Sequence, residues 1–246
     1  MSSLLDEALE GVLDTVWLTR CVGCEHPGEL LCEDCADQLP FINPQWACPR
    51  CGAPFGWLVC SECMTVDGPA ILPYTAGVSA LEFRNTAQRM IIAYKDRDER
   101  RLAGILAGMI TRALPRGWLA WADALTWIPS DEIVRRRRGF DHMEQIALLL
   151  AEQCGRPAVG VLDKEHIADQ RGLSRRERTT NSQSSFTVAQ QAYDRLRTQA
   201  ASRNRGVHLI LVDDVFTTGA TLKAASETLL AAGVGEIRVA TVARVC

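Results

Sequence analysis

Basic residues are nearly missing from the first seventy positions, where only Arg20 and Arg50 stand against eleven Asp and Glu, a formal −9. A nucleic-acid-binding finger needs the opposite electrostatic footprint, so that function is excluded for this segment. No run of eighteen apolar residues occurs anywhere, which removes a membrane-spanning helix from consideration and predicts no membrane insertion. The N-terminus shows no basic stretch ahead of an apolar core and cleavage site, so export is not expected and a cytoplasmic location is. Two common nucleotide signatures are also missing: G-x-x-x-x-G-K followed by Ser or Thr, and G-x-G-x-x-G. Any phosphate chemistry must come from another device.

The chain has 246 residues, 47% hydrophobic and 23% charged, which suits one globular domain of ordinary size with a small appendage. At its start Leu4, Leu5, Ala8, Leu9, Val12, Leu13, Val16 and Trp17 recur at helical spacing among acidic residues. This reads as a docking helix and a candidate element for self-association.

Eight of the ten cysteines form four C-x-x-C pairs: Cys21/Cys24, Cys32/Cys35, Cys48/Cys51 and Cys60/Cys63. Without an export signal disulfides are not expected, and paired knuckles at this density read as zinc ligands. Four thiolates per metal make two closed sites with no open position for water, so the zinc is structural. Sequential grouping gives two short zinc ribbons, while the spacing equally permits a cross-braced grouping. Each centre adds about −2 of charge if all four thiolates are ionised. The module therefore organises the fold or contacts a protein. Any polyanion belongs to residues 71–246, where 25 basic side chains face 19 acidic ones.

Beyond the cysteines the pattern alternates. Residues 70–78 read as a first strand, 81–94 and 102–114 as helices around a charged turn at 95–101, and 122–128 as a strand. Residues 140–154 read as a helix ended by Gly155 and Pro157, and 158–162 as a short strand. Residues 165–185 are polar and Arg-rich, a long loop of the kind that serves as a lid or binding loop. Residues 188–205 read as a surface helix, and a strand at 208–212, a helix at 221–232 and a strand at 237–242 complete a β-α-β unit. The predicted fold is α/β, a mostly parallel sheet with flanking helices and ligands at its carboxyl edge, preceded by a small cysteine-rich zinc-ribbon module. The boundary falls at 1–68 and 69–246.

The most informative run begins at Leu209 and ends at Thr221. Four aliphatic residues lead into Asp213 and Asp214, followed by Val215, Phe216, Thr217, Thr218, Gly219, Ala220 and Thr221. A strand, tight loop and helix start surround one small cavity with backbone N–H groups and the positive end of a helix dipole. The threonine hydroxyls add donors for phosphate oxygens, and Gly219 permits close backbone approach. The two carboxylates then sit where the hydroxyls of a ribose 5-phosphate would lie.

A donor that also carries pyrophosphate needs a second anion-binding element. The segment after the strand at 122–128 offers four arginines, Arg135 to Arg138, ahead of Gly139 and a helix start, with Arg138 the best placed. Residues 170–181 form the candidate lid, and Lys95 after Tyr94 is a candidate phosphate contact.

Together these pieces resemble the ComF/GntX family, which joins a cysteine-knuckle module to a type I phosphoribosyltransferase domain. The resemblance rests on the C-x-x-C cassettes with Cys48-Pro-Arg-Cys-Gly-Ala-Pro54, Tyr94-Lys95, Arg138-Gly139-Phe140, the 170–181 stretch with Ser184-Ser185-Phe186, and the signature at 212–221. It implies that Asp213 and Asp214 bind the ribose hydroxyls of phosphoribosyl pyrophosphate (PRPP). Val215 and the Thr217-Thr218-Gly219-Ala220-Thr221 loop would bind its 5′-phosphate, and Arg138 its pyrophosphate with Mg²⁺. It further implies a phosphoribosyl transfer to an acceptor the sequence does not identify. The alternative is an adaptor in DNA uptake, with single-stranded DNA or competence-machinery proteins as partners. Three departures stand out: Asp141-His142 replaces the usual Asn-Gln, Thr126-Trp127-Ile128-Pro129 replaces a V-P-V-P-like strand end, and the stretch between Phe186 and His208 is longer.

Overall fold

The computed structural model describes residues 19–58, 60–65, 68–164, 186–200 and 205–246. Strands are β1 Met64–Thr65, β2 Gly68–Pro69, β3 Ala76–Glu82, β4 Ala124–Trp127, β5 Leu162–Lys164, β6 Phe186–Val188, β7 His208–Phe216 and β8 Glu236–Arg244. Helices, numbered in chain order, are α1 Glu33–Asp37, α2 Asn85–Asp96, α3 Leu102–Ala113, α4 Arg116–Trp121, α5 Glu132–Arg138, α6 His142–Cys154, α7 Gln190–Ala200 and α8 Ala220–Ala231.

The chain forms two compact units: the described part of Met1–Pro40 with Arg84–Leu102, and Phe41–Phe83 with Ala103–Cys246. In the first, Arg89 on α2 donates to the Gly23 carbonyl between the first two cysteines, and Arg101 donates to the Thr19 hydroxyl. The boundary at residue 68 separates sequence motifs, whereas these units follow packing.

The second unit is built on a four-stranded sheet in the order β3-β8-β7-β4, parallel throughout. A parallel sheet covered on both faces needs continuous apolar strands, and β7 supplies them: Leu209, Ile210, Leu211 and Val212 are fully buried. One core cluster joins Leu211 and Val239 of the sheet to Leu222 and Leu229 of α8 and Tyr193 and Leu196 of α7. The carboxyl ends of β4 and β7 open toward α5, α6 and the start of α8, the edge where ligands of such sheets bind.

The structure moves several predicted boundaries. The first strand runs to Glu82, and the helix expected from residue 81 begins at Asn85. Leu81 fits both periods, but pairing with Ala243 and the 2.7 Å Ser79–Thr241 hydroxyl contact hold it in the sheet. The strand expected at 158–162 is displaced to β5, with Ala158 making a lone bridge to Leu125. The third change concerns β7, which continues through Asp213 and Asp214 to Phe216 instead of stopping at residue 212. Lys164 pairs with Phe186, so β5 and β6 bring together the two flanks of 165–185; that segment, the predicted lid, lies outside the described residues, as does the helix pattern at 4–17.

The second cysteine group belongs to the sheet's own unit. Gly52, at φ +75°, lies so close to β3 that an added Cβ would sit 3.0 Å from the Val78 Cα. Arg244, the last residue of β8, donates to the Cys51 carbonyl at 2.6 Å and also pairs with Glu62.

Candidate functional site

The eight cysteines settle into two tetrads, Cys21/Cys24/Cys32/Cys35 and Cys48/Cys51/Cys60/Cys63, the sulfurs of each lying within 4.8 Å of one another. Cross-bracing is thereby ruled out. A tetrahedron with metal–sulfur bonds of about 2.3 Å has sulfur–sulfur edges of about 3.8 Å. Cys24–Cys32 at 3.6 Å, Cys51–Cys60 at 3.7 Å and Cys48–Cys63 at 3.9 Å match that edge. The knuckle backbone is shaped for thiolate: Gly23 and Cys32 each direct an N–H at the Cys21 sulfur from 3.4 Å. Burial acts to raise the Cys21 thiol, but N–H groups of Cys32, Cys24 and Gly23 outweigh it and bring it down to about 6. Burial and the neighbouring cysteines push Cys35 up to about 12. Four thiolates cannot coexist so close without a cation between them. Zn²⁺ fits both donor sets, and neither leaves a ligand position for chemistry.

The two groups differ in exposure. All four cysteines of the second tetrad are buried, whereas Cys24 is exposed and Cys32 and Cys35 are half-buried.

At the sheet's carboxyl edge, β7 carries Asp213 and Asp214 near its end, pointing to opposite faces as strand neighbours must. They are 9% and 7% exposed, so the pair is not an open acidic surface. Asp213 Oδ1 accepts the Asp214 N–H at 2.9 Å, and Asp214 Oδ2 lies 2.9 Å from His142 Nε2. Val215 is half-buried.

Immediately after β7, Thr217 and Thr218 are exposed, Gly219 sits at φ +74°, and α8 begins with exposed Ala220 and Thr221. Gly219 is the N-cap of α8 and has no side chain to offer the first-turn N–H groups. The position demands glycine twice over. Its φ is left-handed, and an added Cβ would lie 2.6 Å from the Phe216 ring. A cavity of about 430 Å³ opens beside this loop, walled by Thr218, Gly219 and Lys223 on one side and by Cys51, Glu62 and Tyr74 on another. The two aspartates do not line that cavity.

The arginine run, expected only to precede Gly139 and a helix start, is itself helix α5, capped by Asp131 through Ile133 N at 2.9 Å and closed by Gly139 at φ +77°. Its arginines crowd the last turn, the carbonyl end, so they contribute guanidinium groups and no helix N-terminus. Arg135, Arg136 and Arg137 are exposed and Arg138 is half-buried. Lys95 stands on the last turn of α2, in the other compact unit.

His142 and Ser130 were not singled out as site residues by sequence reasoning. Asp141 caps α6 by accepting Met143 N and Glu144 N, and also takes Ser130 N at 2.7 Å. His142, the first residue of α6, is then aimed at Asp214 while its Nδ1 lies 2.8 Å from Ser130 Oγ. The only available signal was Asp141-His142 itself, a departure from the family pattern directly after Arg138-Gly139-Phe140.

Residues 139–245 match the family model of the phosphoribosyl transferase domain, and residues 12–64 that of the double zinc ribbon domain. The chain is 27% identical over 244 residues to competence protein F of Haemophilus influenzae, covering 92% of this chain and 96% of that protein. It is also 27% identical over 235 residues to the DNA utilization protein YhgH of Salmonella typhi, covering 91% and 93% respectively. Among solved structures, that of the allosteric regulatory enzyme of purine biosynthesis aligns over 58% of this chain, with 19% identity and a TM-score of 0.37. The alignment spans only 25% of that longer chain. Both domains occur in this order and the relatives match over nearly their full length, an arrangement that supports the resemblance to the ComF family.

Proposed function

We propose that this protein binds PRPP, or a related ribose 5-phosphate, at the junction of β7 and α8. The observation that carries the reading is the succession within the phosphoribosyl transferase match: a buried acidic pair, an exposed Thr/Gly loop, and an α8 N-terminus whose cap residue is Gly219. Asp213 and Asp214 would accept hydrogen bonds from the ribose hydroxyls. Val215 and the loop of Thr217, Thr218, Gly219, Ala220 and Thr221 would cradle the 5′-phosphate. Arg138 is the candidate for the pyrophosphate. When bound, Mg²⁺ would offset charge on the pyrophosphate. Negative side chains near C1 favour the oxocarbenium character that develops as pyrophosphate leaves. The acceptor of such a transfer is not assigned, and the protein would act in the cytoplasm.

Calorimetry with PRPP and Mg²⁺ tests this reading. Wild-type protein should bind, and the double variant Asp213→Asn/Asp214→Asn should not. Equal affinity in the two would count decisively against the pocket.

A second reading draws on the relatives, one named a competence protein and another a DNA utilization protein. The exposed guanidinium groups of Arg135, Arg136 and Arg137 could grip the backbone of single-stranded DNA. Binding that weakens with salt and with neutralisation of these three would support the adaptor role. If labelled single strands fail to bind even at low salt, that role is excluded.

A further inference from the structure

We propose that His142 is a positioning residue for Asp214, held in place by Ser130, and that it orders the acidic pair for recognition of a sugar ring. The inference deepens the ribose-phosphate reading above and rests on it for its functional half.

The geometry is a three-member relay from β4 to β7. Ser130 follows β4, His142 opens α6 and Asp214 lies on β7, with contacts of 2.8 Å and 2.9 Å joining them in turn. His142 and Asp214 are each 7% exposed. An ionised carboxylate only accepts, so the His142 Nε2 must carry the proton it shares with Asp214. At Nδ1 the Ser130 hydroxyl has two choices, because it also lies 3.1 Å from Asp141 Oδ1. Donating to Nδ1, it leaves the ring neutral. Donating to Asp141, it accepts from Nδ1–H and the ring is an imidazolium. Both arrangements keep Nε2–H on Asp214. Either orientation of the hydroxyl leaves the ring's contact with the carboxylate intact. Among the described residues, charged groups facing the ring include Asp214, with Asp213 beside it on β7, and Asp141 through Ser130.

A core histidine with no role would have no reason to select this partner. The capping of α6 is already done by Asp141, so His142 is not needed for it. What the ring does is restrict the rotamers of one of two carboxylates, and a group ordered before binding loses less freedom on binding. A glutamine at this position carries an N–H donor of similar reach, whereas leucine carries none.

Two measurements on the full, zinc-loaded chain decide the matter. In ligand-free protein with ¹⁵N-labelled histidine, the His142 ring should show a protonated Nε2 whose signal moves in Asp214→Asn. A bare Nε2, or a signal indifferent to that change, overturns the inference whatever the ligand proves to be. In calorimetry, His142→Leu should weaken ribose 5-phosphate about tenfold, the scale of one hydrogen bond to a charged group, and leave inorganic phosphate unchanged. His142→Gln should restore most of the loss and guards against a folding artefact. Equal ribose 5-phosphate affinity in His142→Leu and wild type overturns the functional half. If wild-type protein binds inorganic phosphate but no ribose phosphate, it is the ribose reading that fails, and the ring spectra still pass or fail the His142–Asp214 link.

Discussion

The guanidinium carbon of Arg244 lies 4.3 Å from the centre of the Phe216 ring. Arg244 is fully buried and holds the Cys51 carbonyl and Glu62 from its other side. Phe216 in turn supports Gly219, whose missing Cβ would press on its ring. One arginine thus joins the second cysteine knuckle, the end of the sheet and the candidate phosphate loop. Physical contact passes from one to the next without a gap.

Replacing Arg244 by Met should cost about 2–4 kcal/mol, because the Cys51 carbonyl and the stacked ring lose a buried charged partner. Glu62 is partly exposed and can turn to water, which keeps the cost below that of stranding a buried charge. Arg244→Lys should rescue little, since an ammonium lacks the fork that serves two acceptors. Urea unfolding checks both variants; an Arg244→Met midpoint equal to wild type would show that the stack carries no weight.

Gly219→Ala should destabilise by on the order of 1–3 kcal/mol, combining left-handed strain with the collision against Phe216. Pairing it with Phe216→Leu should relieve the collision and leave the strain, so the double variant should recover only part of the loss. Full recovery would mean that φ at this position costs nothing.

Chelation should proceed in two phases, because the first tetrad has an exposed and two half-buried sulfurs while all sulfurs of the second are buried. The fast phase should vanish in Cys24→Ser, which leaves the second centre whole. Metal release followed by a colorimetric zinc indicator reads this directly. Acid should hasten release, since burial acts to push the Cys51 thiol up to about 11 and Cys35 stands at about 12, so protons compete strongly with the metal. A single phase in wild type would contradict the difference in burial.

His208 stacks on Trp121 with ring centres 4.7 Å apart, and burial, aided by the Arg205 guanidinium, lowers its affinity for a proton. In the unfolded chain the ring keeps its ordinary value of 6.5, so below that pH the unfolded state takes up a proton that the folded state refuses. The contribution of His208 is therefore complete above 6.5 and is lost as pH falls toward the depressed folded value. Denaturation midpoints should decline as pH falls below about 6.5, and His208→Phe, which keeps the stack, should flatten that slope. An identical slope in the variant would assign the decline to other groups.

Much of this was legible from spacing alone. Four C-x-x-C pairs announce two metal sites because each thiolate pair needs a short knuckle, and that constraint is local. The alternation of apolar runs forecasts a mostly parallel sheet, since strands covered on both faces must be apolar throughout. Asp213 and Asp214 followed by Thr217 to Thr221 mark a strand, loop and helix start through neighbouring residues only.

Spacing could not choose between sequential and cross-braced cysteines, because both satisfy the same knuckles; the folded chain chose the sequential set. Nor could it show that Arg135 to Arg138 end a helix, because a short basic run reads the same in a loop. His142 meets Asp214 across 72 positions, and Arg244 meets Cys51 across 193. Contacts of that range depend on how strands pair and helices cross. Those are properties of the packed chain as a whole, and no window of sequence contains them.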